Sequence, residues 1–589
     1  MKEYSVFVII VMTLSLFIWG RWRYDVVACL ALMATLSVGA LPFSYAFTGF
    51  SNPAVITVAT VMIITQVIME SGVLNKIVVK LTPATSTMTM HITILTGLAA
   101  VLSAFMNNVG ALALTMPIAL QTAAKHKRSP TRILMPIAFG SILGGLTTLI
   151  GTPPNIIIAV FRQEKLGKAF NMFDFMPVGL AVALVGVCYI VLLGWRFLPQ
   201  NRVAQKTAER YRVQDYITEV RVPGDSPLIG KTISDLESFT LADFLLLGYI
   251  RDHRKRLNFS EQTTLMPGDI LIIEANPGEL EKIITAGKLQ LVGSKDISVE
   301  TLRSEEVSII EAVVVPGTKI EGRTPQRIKL RERYHLNLIA ISRRGQTIQQ
   351  RLKNVKFQAG DVLLLQGNTK TLYETVSDIG FLPLAEAEVK LQENKRIYLP
   401  SIIFLIGLVL AACSILPAQI AFAGVVLVMV LLNLTPMRRV YDSIDWSIVV
   451  LLGAMIPVGQ ALQLSGGTDL IAKGLIAISS EAFPVTTLAI LMIITILLTD
   501  VINNAATAVL MAPIGLSLAD KLGYNPDAFL MVVAVAASSA FLTPIGHQNN
   551  TLVMGPGGYH FGDYWRMGLL LDIFIILVSL PMILWVWPL

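Results

Sequence analysis

Two apolar stretches each carry an asparagine pair at their centre: AFMNNVGALALTMPIAL at 104–120 and DVINNAATAVLMAPIGL at 500–516. In both, the first asparagine precedes a proline at the same spacing, Asn107 to Pro117 and Asn503 to Pro513. An amide in apolar surroundings costs free energy unless its donors and acceptor are satisfied, so a repeated pair implies a task. Two more polar interruptions occur, GTPPN at 151–155 and TPIGHQNN at 543–550. The candidate breaks are therefore Asn107-Asn108-Val109, Gly151–Asn155, Asn503-Asn504-Ala505 and Thr543–Asn550. Gly and Pro stop a helix. The N–H groups freed at one helix end suit an anion, and the carbonyls freed at the other suit a hard cation such as Na⁺. Asn, Thr and Gln add cation-binding oxygens and anion-binding amides. None of the four breaks contains Arg or Lys. A dianion held there has to be neutralised by helix dipoles and co-bound cations, which predicts symport. His547 reads as a neutral hydrogen-bonding residue, and Glu70 and Asp500, near span ends, are left out of the candidate site.

The elements that position these residues are membrane spans. The chain has 589 residues, 54% hydrophobic and 15% charged, against about 25% charged in soluble domains. Its mean hydropathy is +0.65. The net charge of +7 follows from basic residues in short loops and in the middle of the chain, so nucleic acid is not an expected partner. Cys29, Cys188 and Cys413 lie far apart in apolar segments, which excludes a zinc motif and a disulfide framework. The N-terminus lacks a small-residue cleavage site and reads as a retained first span. Residues 1–199 and 396–589 are membrane blocks flanking a charged, strand-rich block at 200–395. Spans are expected at 4–20, 25–42, 54–72 and 175–197, then at 397–415, 417–434, 446–464 and 566–588. Two re-entrant hairpins are expected at 85–124 and 486–520, and two broken helices at 131–160 and 526–555. Non-helical backbone at that depth requires surrounding protein or a water cavity. The positive-inside rule then sets residues 200–395 in the cytoplasm and both termini outside a cell (inner) membrane. Arg162, Lys165 and Lys168 oppose that trend.

The first hairpin opens from the cytoplasm and the second from outside, so the blocks form an inverted repeat. GTPPN aligns with GHQNN (546–550) at an offset of 395, and ESGVLNKI (70–77) with LSGGTDLI (464–471) at 394. An inverted repeat with broken helices at mid-membrane is the architecture of a secondary transporter. A TVGYG-like filter is absent, which argues against a cation channel. No nucleophile–base or metal-ligand arrangement suggests an enzyme.

These motifs resemble the divalent anion:sodium symporters of the ion transporter superfamily. The likeness implies scaffold and transport domains, a homodimer and an elevator movement. The family's Ser-Asn-Thr tip falls on Asn107, Asn108, Val109 and on Asn503, Asn504, Ala505; with Thr507 these are the implied substrate-binding residues. The implied sodium ligands are Asn108, Gly151, Thr152, Pro153, Asn155, Asn504, Thr543, Gly546, Gln548, Asn549 and Asn550. No cofactor is implied beyond Na⁺ as coupling ion. The central block resembles two TrkA-C (RCK C-terminal) domains, at 213–294 and 305–386. Gly230/Gly322, Arg251/Arg343 and Gly268-Asp269/Gly360-Asp361 repeat there at 92 residues. Such domains imply a small-molecule or nucleotide ligand, and in this group they accompany sulfate transport. The expectation is Na⁺-coupled sulfate symport. Other readings are a dicarboxylate or other oxyanion symporter driven by Na⁺ or H⁺, a TrkA-C-gated cation channel, or a non-transporting anion sensor.

Overall fold

The computed structural model describes all residues except 1, 20–21, 74–86, 127, 169, 200–216, 234, 237–243, 253, 257–261, 275–276, 293–306, 317, 319, 344–345, 349–351, 370, 385–396, 414 and 467–483. Parts of the expected repeat match (74–77 and 467–471), the start of the first hairpin and the basic residues Lys76, Lys80, Lys395 and Arg396 lie outside the described residues. The chain divides into two units. One comprises residues 1–201, 389–553 and 560–589; the other comprises 202–388 with 554–559.

The first unit is helical. From its N-terminal block come α1 (Lys2–Trp19), α2 (Tyr24–Ser37), α3 (Pro53–Ser71), α4 (Met88–Ser103), α5 (Asn108–Lys125), α6 (Leu134–Gly145), α7 (Pro153–Leu166) and α8 (Met176–Leu192). From its C-terminal block come α9 (Leu399–Ala412), α10 (Ala418–Leu431), α11 (Trp446–Leu464), α12 (Pro484–Thr499), α13 (Asn504–Leu522), α14 (Pro526–Ala537), α15 (Gln548–Gly557, of which 554–557 are counted with the second unit) and α16 (Tyr564–Val586). Several lengths recur in order: α2 and α10 have 14 residues, α3 and α11 have 19, α4 and α12 have 16, and α6 and α14 have 12. Among the described residues, Phe43–Ser71, Asn504–Leu522 and Phe561–Val586 are helical segments long and apolar enough to cross a membrane, and further shorter apolar helices accompany them. This is a polytopic, mainly helical membrane protein.

Burial sorts these helices. All of α6 is buried, as are Asp527–Ala537 of α14 and Asn504–Ala519 of α13. A helix apolar all round belongs in an interior, and these three form the centre of the unit. Outer helices present apolar side chains outward, such as Leu405, Leu431 and Trp585, as a lipid-facing surface requires. Lipid is as apolar as leucine, so association between helices depends on close contact through small residues. At Gly144 of α6 a Cβ would overlap the Ala100 backbone of α4.

The second unit carries two five-stranded antiparallel sheets. The first holds β1 (Ile217–Arg221), β2 (Leu245–Arg251), β3 (Arg254–Arg256), β4 (Ile270–Glu274) and β5 (Gln290–Leu291), in the order β3-β2-β4-β1-β5. The second holds β6 (Val307–Val314), β7 (Asn337–Arg343), β8 (Gln346–Thr347), β9 (Val362–Asn368) and β10 (Phe381–Pro383), in the corresponding order β8-β7-β9-β6-β10. Each sheet has its own apolar core, one around Leu236, Tyr249 and Ile273, the other around Ile341, Phe357 and Leu365. The register irregularity between Leu246 and Gly248 recurs between Leu338 and Ala340. The turns before β4 and β9 place Gly268 at φ +88° and Gly360 at φ +79°, which glycine alone adopts without steric cost. Each turn's aspartate is gripped by the arginine at the end of the neighbouring strand. Arg251 Nη2 meets Asp269 Oδ2 at 2.7 Å, and Arg343 Nε meets Asp361 Oδ1 at 2.7 Å. The Asp269 hydrogen bonds, followed by its charge, hold the Arg251 guanidinium above its ordinary pKa. These residues staple each repeat.

Candidate functional site

Both asparagine pairs open a helix. Asn107 caps α5 at φ −68°, ψ 152°, its Oδ1 accepting from Gly110 N at 2.7 Å; Asn503 caps α13 at φ −66°, ψ 152°, its Oδ1 accepting from Ala506 N at 2.8 Å. The first letter of each pair thus satisfies an N–H that the helix start would orphan. The second letters are buried and reach back to a hydroxyl five residues earlier. Ser103 Oγ lies 2.7 Å from the Asn108 amide, and Thr499 Oγ1 donates to Asn504 Oδ1 at 3.0 Å.

The Gly/Pro breaks are built alike. Helix α6 stops at Gly145 and α7 begins at Pro153; α14 stops at Ala537 and α15 begins at Gln548. Across the first break, Asn155 Nδ2 donates to Thr148 O at 2.8 Å. Across the second, Asn550 Nδ2 donates to Ala540 O at 2.9 Å and Thr543 O at 3.0 Å. Thr148 Oγ1 donates to Ala104 O, and Thr543 Oγ1 to Asp500 O at 2.6 Å, so each break is tied to the end of the helix before its asparagine pair.

The two halves meet at the first pair. Asn549 Nδ2 donates to Asn108 O at 3.0 Å and to Ser141 Oγ at 2.6 Å. With its NH₂ turned toward Ser103 Oγ (2.7 Å), Gly151 O (3.2 Å) and Ser141 O (3.3 Å), the Asn108 amide accepts from His547 Nε2 at 3.0 Å. That orientation points the amide's donors at acceptors and its oxygen at a donor. His547 Nδ1 in turn accepts from Asn549 N at 3.0 Å. The histidine is therefore neutral, with its proton on Nε2.

Among the described residues, several buried oxygens here have no partner: Thr152 Oγ1, Asn155 Oδ1, Asn549 Oδ1 and Asn550 Oδ1. Unpaired polar atoms in an interior cost about 1–3 kcal/mol each. Such oxygens, beside helix ends and with no competing donor, suit a hard monovalent cation. Of the remaining sequence candidates, Gly151 supplies its carbonyl to Asn108. Pro153 is the first residue of α7 and Gln548 that of α15, both half-buried. Thr507 donates to Asn503 O at 3.1 Å. Val109 is half-buried and Ala505 buried. Gly546 sits against Asp500 and Thr499.

Sequence reasoning passed over Ser103, Ser141, Thr148 and Thr499. Ser103 and Thr499 occupy matching places before the two asparagine pairs, a signal an internal alignment carries. It also left out Asp500, which is 3% exposed and accepts from Leu542 N at 3.0 Å. Glu70 is engaged too, by Arg439 Nη1 at 2.9 Å.

A model of the CitMHS citrate transporter family matches residues 14–521 and 487–589. The chain belongs to this family. It is 32% identical over 97% of its length to the uncharacterized transporter sll0640 of Synechocystis, 95% of which is covered. It is 30% identical over 98% of its length to the uncharacterized transporter YfbS of Escherichia coli, with 98% of that protein covered. A sodium/sulfate cotransporter 2 of Chlamydomonas reinhardtii is 28% identical over 45% of this chain and 32% of its own length. The chain is accordingly a membrane transporter of the citrate transporter family, and not an enzyme.

Proposed function

We propose that this transporter couples Na⁺ to the symport of a divalent anion, sulfate before dicarboxylate. The observation that carries the reading is the pairing of two asparagine-capped helix starts, α5 and α13, with two breaks whose buried oxygens lack partners. Helix N-termini attract an anion and unpartnered oxygens attract Na⁺. The absence of Arg and Lys from all four breaks makes the cation part of the anion's site. The sodium/sulfate cotransporter named above supports the choice of ions. The family's description supports a carboxylate cargo as the second reading.

In this reading α4–α5 and α12–α13 are re-entrant hairpins of an inverted repeat, and the protein is a homodimer working as an elevator in the cell membrane. Residues 200–395 are cytoplasmic and both termini outside. The ion pairs support that topology. Arg162 and Lys165, outside against the positive-inside trend, are held by Asp527 at 2.8 Å and Asp520 at 2.5 Å. Glu70 and Arg439, which pair, fall together on the inner side. The recurring sheet order supports two TrkA-C-like domains; in this reading they carry a small-molecule ligand that regulates transport.

The test is uptake of labelled sulfate into proteoliposomes. An inward Na⁺ gradient is expected to drive it, with unlabelled succinate and citrate competing weakly. Uptake driven by a H⁺ gradient alone refutes Na⁺ coupling. Complete competition by citrate at equal concentration transfers the cargo to carboxylates.

A further inference from the structure

The breaks match in backbone yet differ in charge. Thr148 ties the first break to Ala104, whereas Thr543 ties the second to Asp500. Helices α8 and α16 cross the breaks at equivalent glycines, Gly179 on the Leu146 carbonyl and Gly568 on the Phe541 carbonyl. One turn beyond these stand Ala183 and Asp572. The second half thus carries two carboxylates where the first has two alanines.

Neither carboxylate is spent. Asp500 uses Oδ1 for Leu542 N, while its Oδ2 and both oxygens of Asp572 have no hydrogen-bond partner among the described residues. The two residues are 3% and 4% exposed. Their link is the turn 540–543. Phe541 lies under Gly568, its neighbour Leu542 is bonded to Asp500, and the carbonyls on either side, Ala540 and Thr543, are held by Asn550. Asn550 is fully buried, and its Oδ1 is also unpartnered. Buried carboxylates without a cation are strongly disfavoured, and they repel an arriving dianion.

We propose that Asp500, Asp572 and the Asn550 side-chain oxygen form a Na⁺ site at the second break that has no counterpart in the first half. It deepens the Na⁺-coupled reading above. The site accepts Na⁺ through hard oxygen ligands, and its occupation removes the charge that would exclude the dianion.

Binding of radiolabelled Na⁺ to the purified full-length protein, with no anion present, tests it. Asp572→Asn keeps the side-chain shape and is expected to weaken Na⁺ binding about tenfold or more. It is also expected to lower the Hill coefficient for Na⁺ in uptake. Asp500→Asn retains the acceptor for Leu542 and is expected to act the same way; it carries the test if Asp572→Asn does not fold. Wild-type Na⁺ binding in a folded variant overturns the proposal. So does a variant that loses only a pH dependence, since the carboxylates would then carry protons. Binding is read without transport, so failure of Na⁺-driven uptake in wild type refutes the symport reading and leaves this site standing.

Discussion

The two asparagine tips differ in what they hold. Asn504 is anchored within its own half by Thr499, while Asn108 also takes His547 and Asn549 from the opposite half. Among the described residues, the first tip is hydrogen-bonded to the opposite half and the Asn504 side chain is not. A repeated motif fixes the backbone, but the side chains that arrive from elsewhere give each copy its task. The same contrast appears in charge, where Asp500 and Asp572 stand at the positions that Ala104 and Ala183 hold in the first half.

The largest expected effect tests whether the halves act as one body. Arg162 reaches across to Asp527 from a partly buried position, Nε to Oδ1 and Nη2 to Oδ2, both at 2.8 Å. Arg162→Ala strands Asp527 and is expected to cost about 3–5 kcal/mol, read as a drop in Tm of the detergent-purified protein. Wild-type melting would show the halves to be independent.

Next come the tips themselves. Asn108→Ala and Asn504→Ala are each expected to reduce sulfate uptake by roughly 100-fold, the equivalent of about 3 kcal/mol. Only Asn108→Ala, which orphans groups in both halves, should also lower Tm. Equal destabilisation by the two would erase the asymmetry.

The central repeats sharpen the comparison because they lack it. Asp269 is 1% and Asp361 0% exposed in side chain. Arg251→Met and Arg343→Met should each destabilise the second unit by about 2 kcal/mol, measured by hydrogen exchange on β4 and β9. Unequal losses would show that these two copies have diverged as well. The smallest effect belongs to Lys165→Ala. It breaks an exposed pair with Asp520 and should shift Tm by less than about 1 kcal/mol equivalent.

Much of this was legible in order. The asparagine pairs, the Gly/Pro interruptions and the Gly-Asp turns are punctuation that local chemistry dictates, and periodicity marks the helices and strands they bound. The partners were not legible. Ser141 lies 408 residues from the Asn549 it touches, and His547 lies 439 from Asn108. Nothing in the local pattern around Ser141 announces a hydrogen bond, because an apolar helix tolerates a serine that bonds its own backbone. Asp500 was set aside because a carboxylate at a span end ordinarily reaches water; here the turn after α14 covers it.

The sequence by itself determined that this chain lives in a membrane, where its helices break and that its segments recur. Apolar run length, helix-stopping residues and internal repetition are local properties. The tertiary structure alone decided which asparagines cap and which are gripped, and which oxygens are left without partners. Those outcomes depend on groups hundreds of residues apart being desolvated together, which only the packed helices bring about.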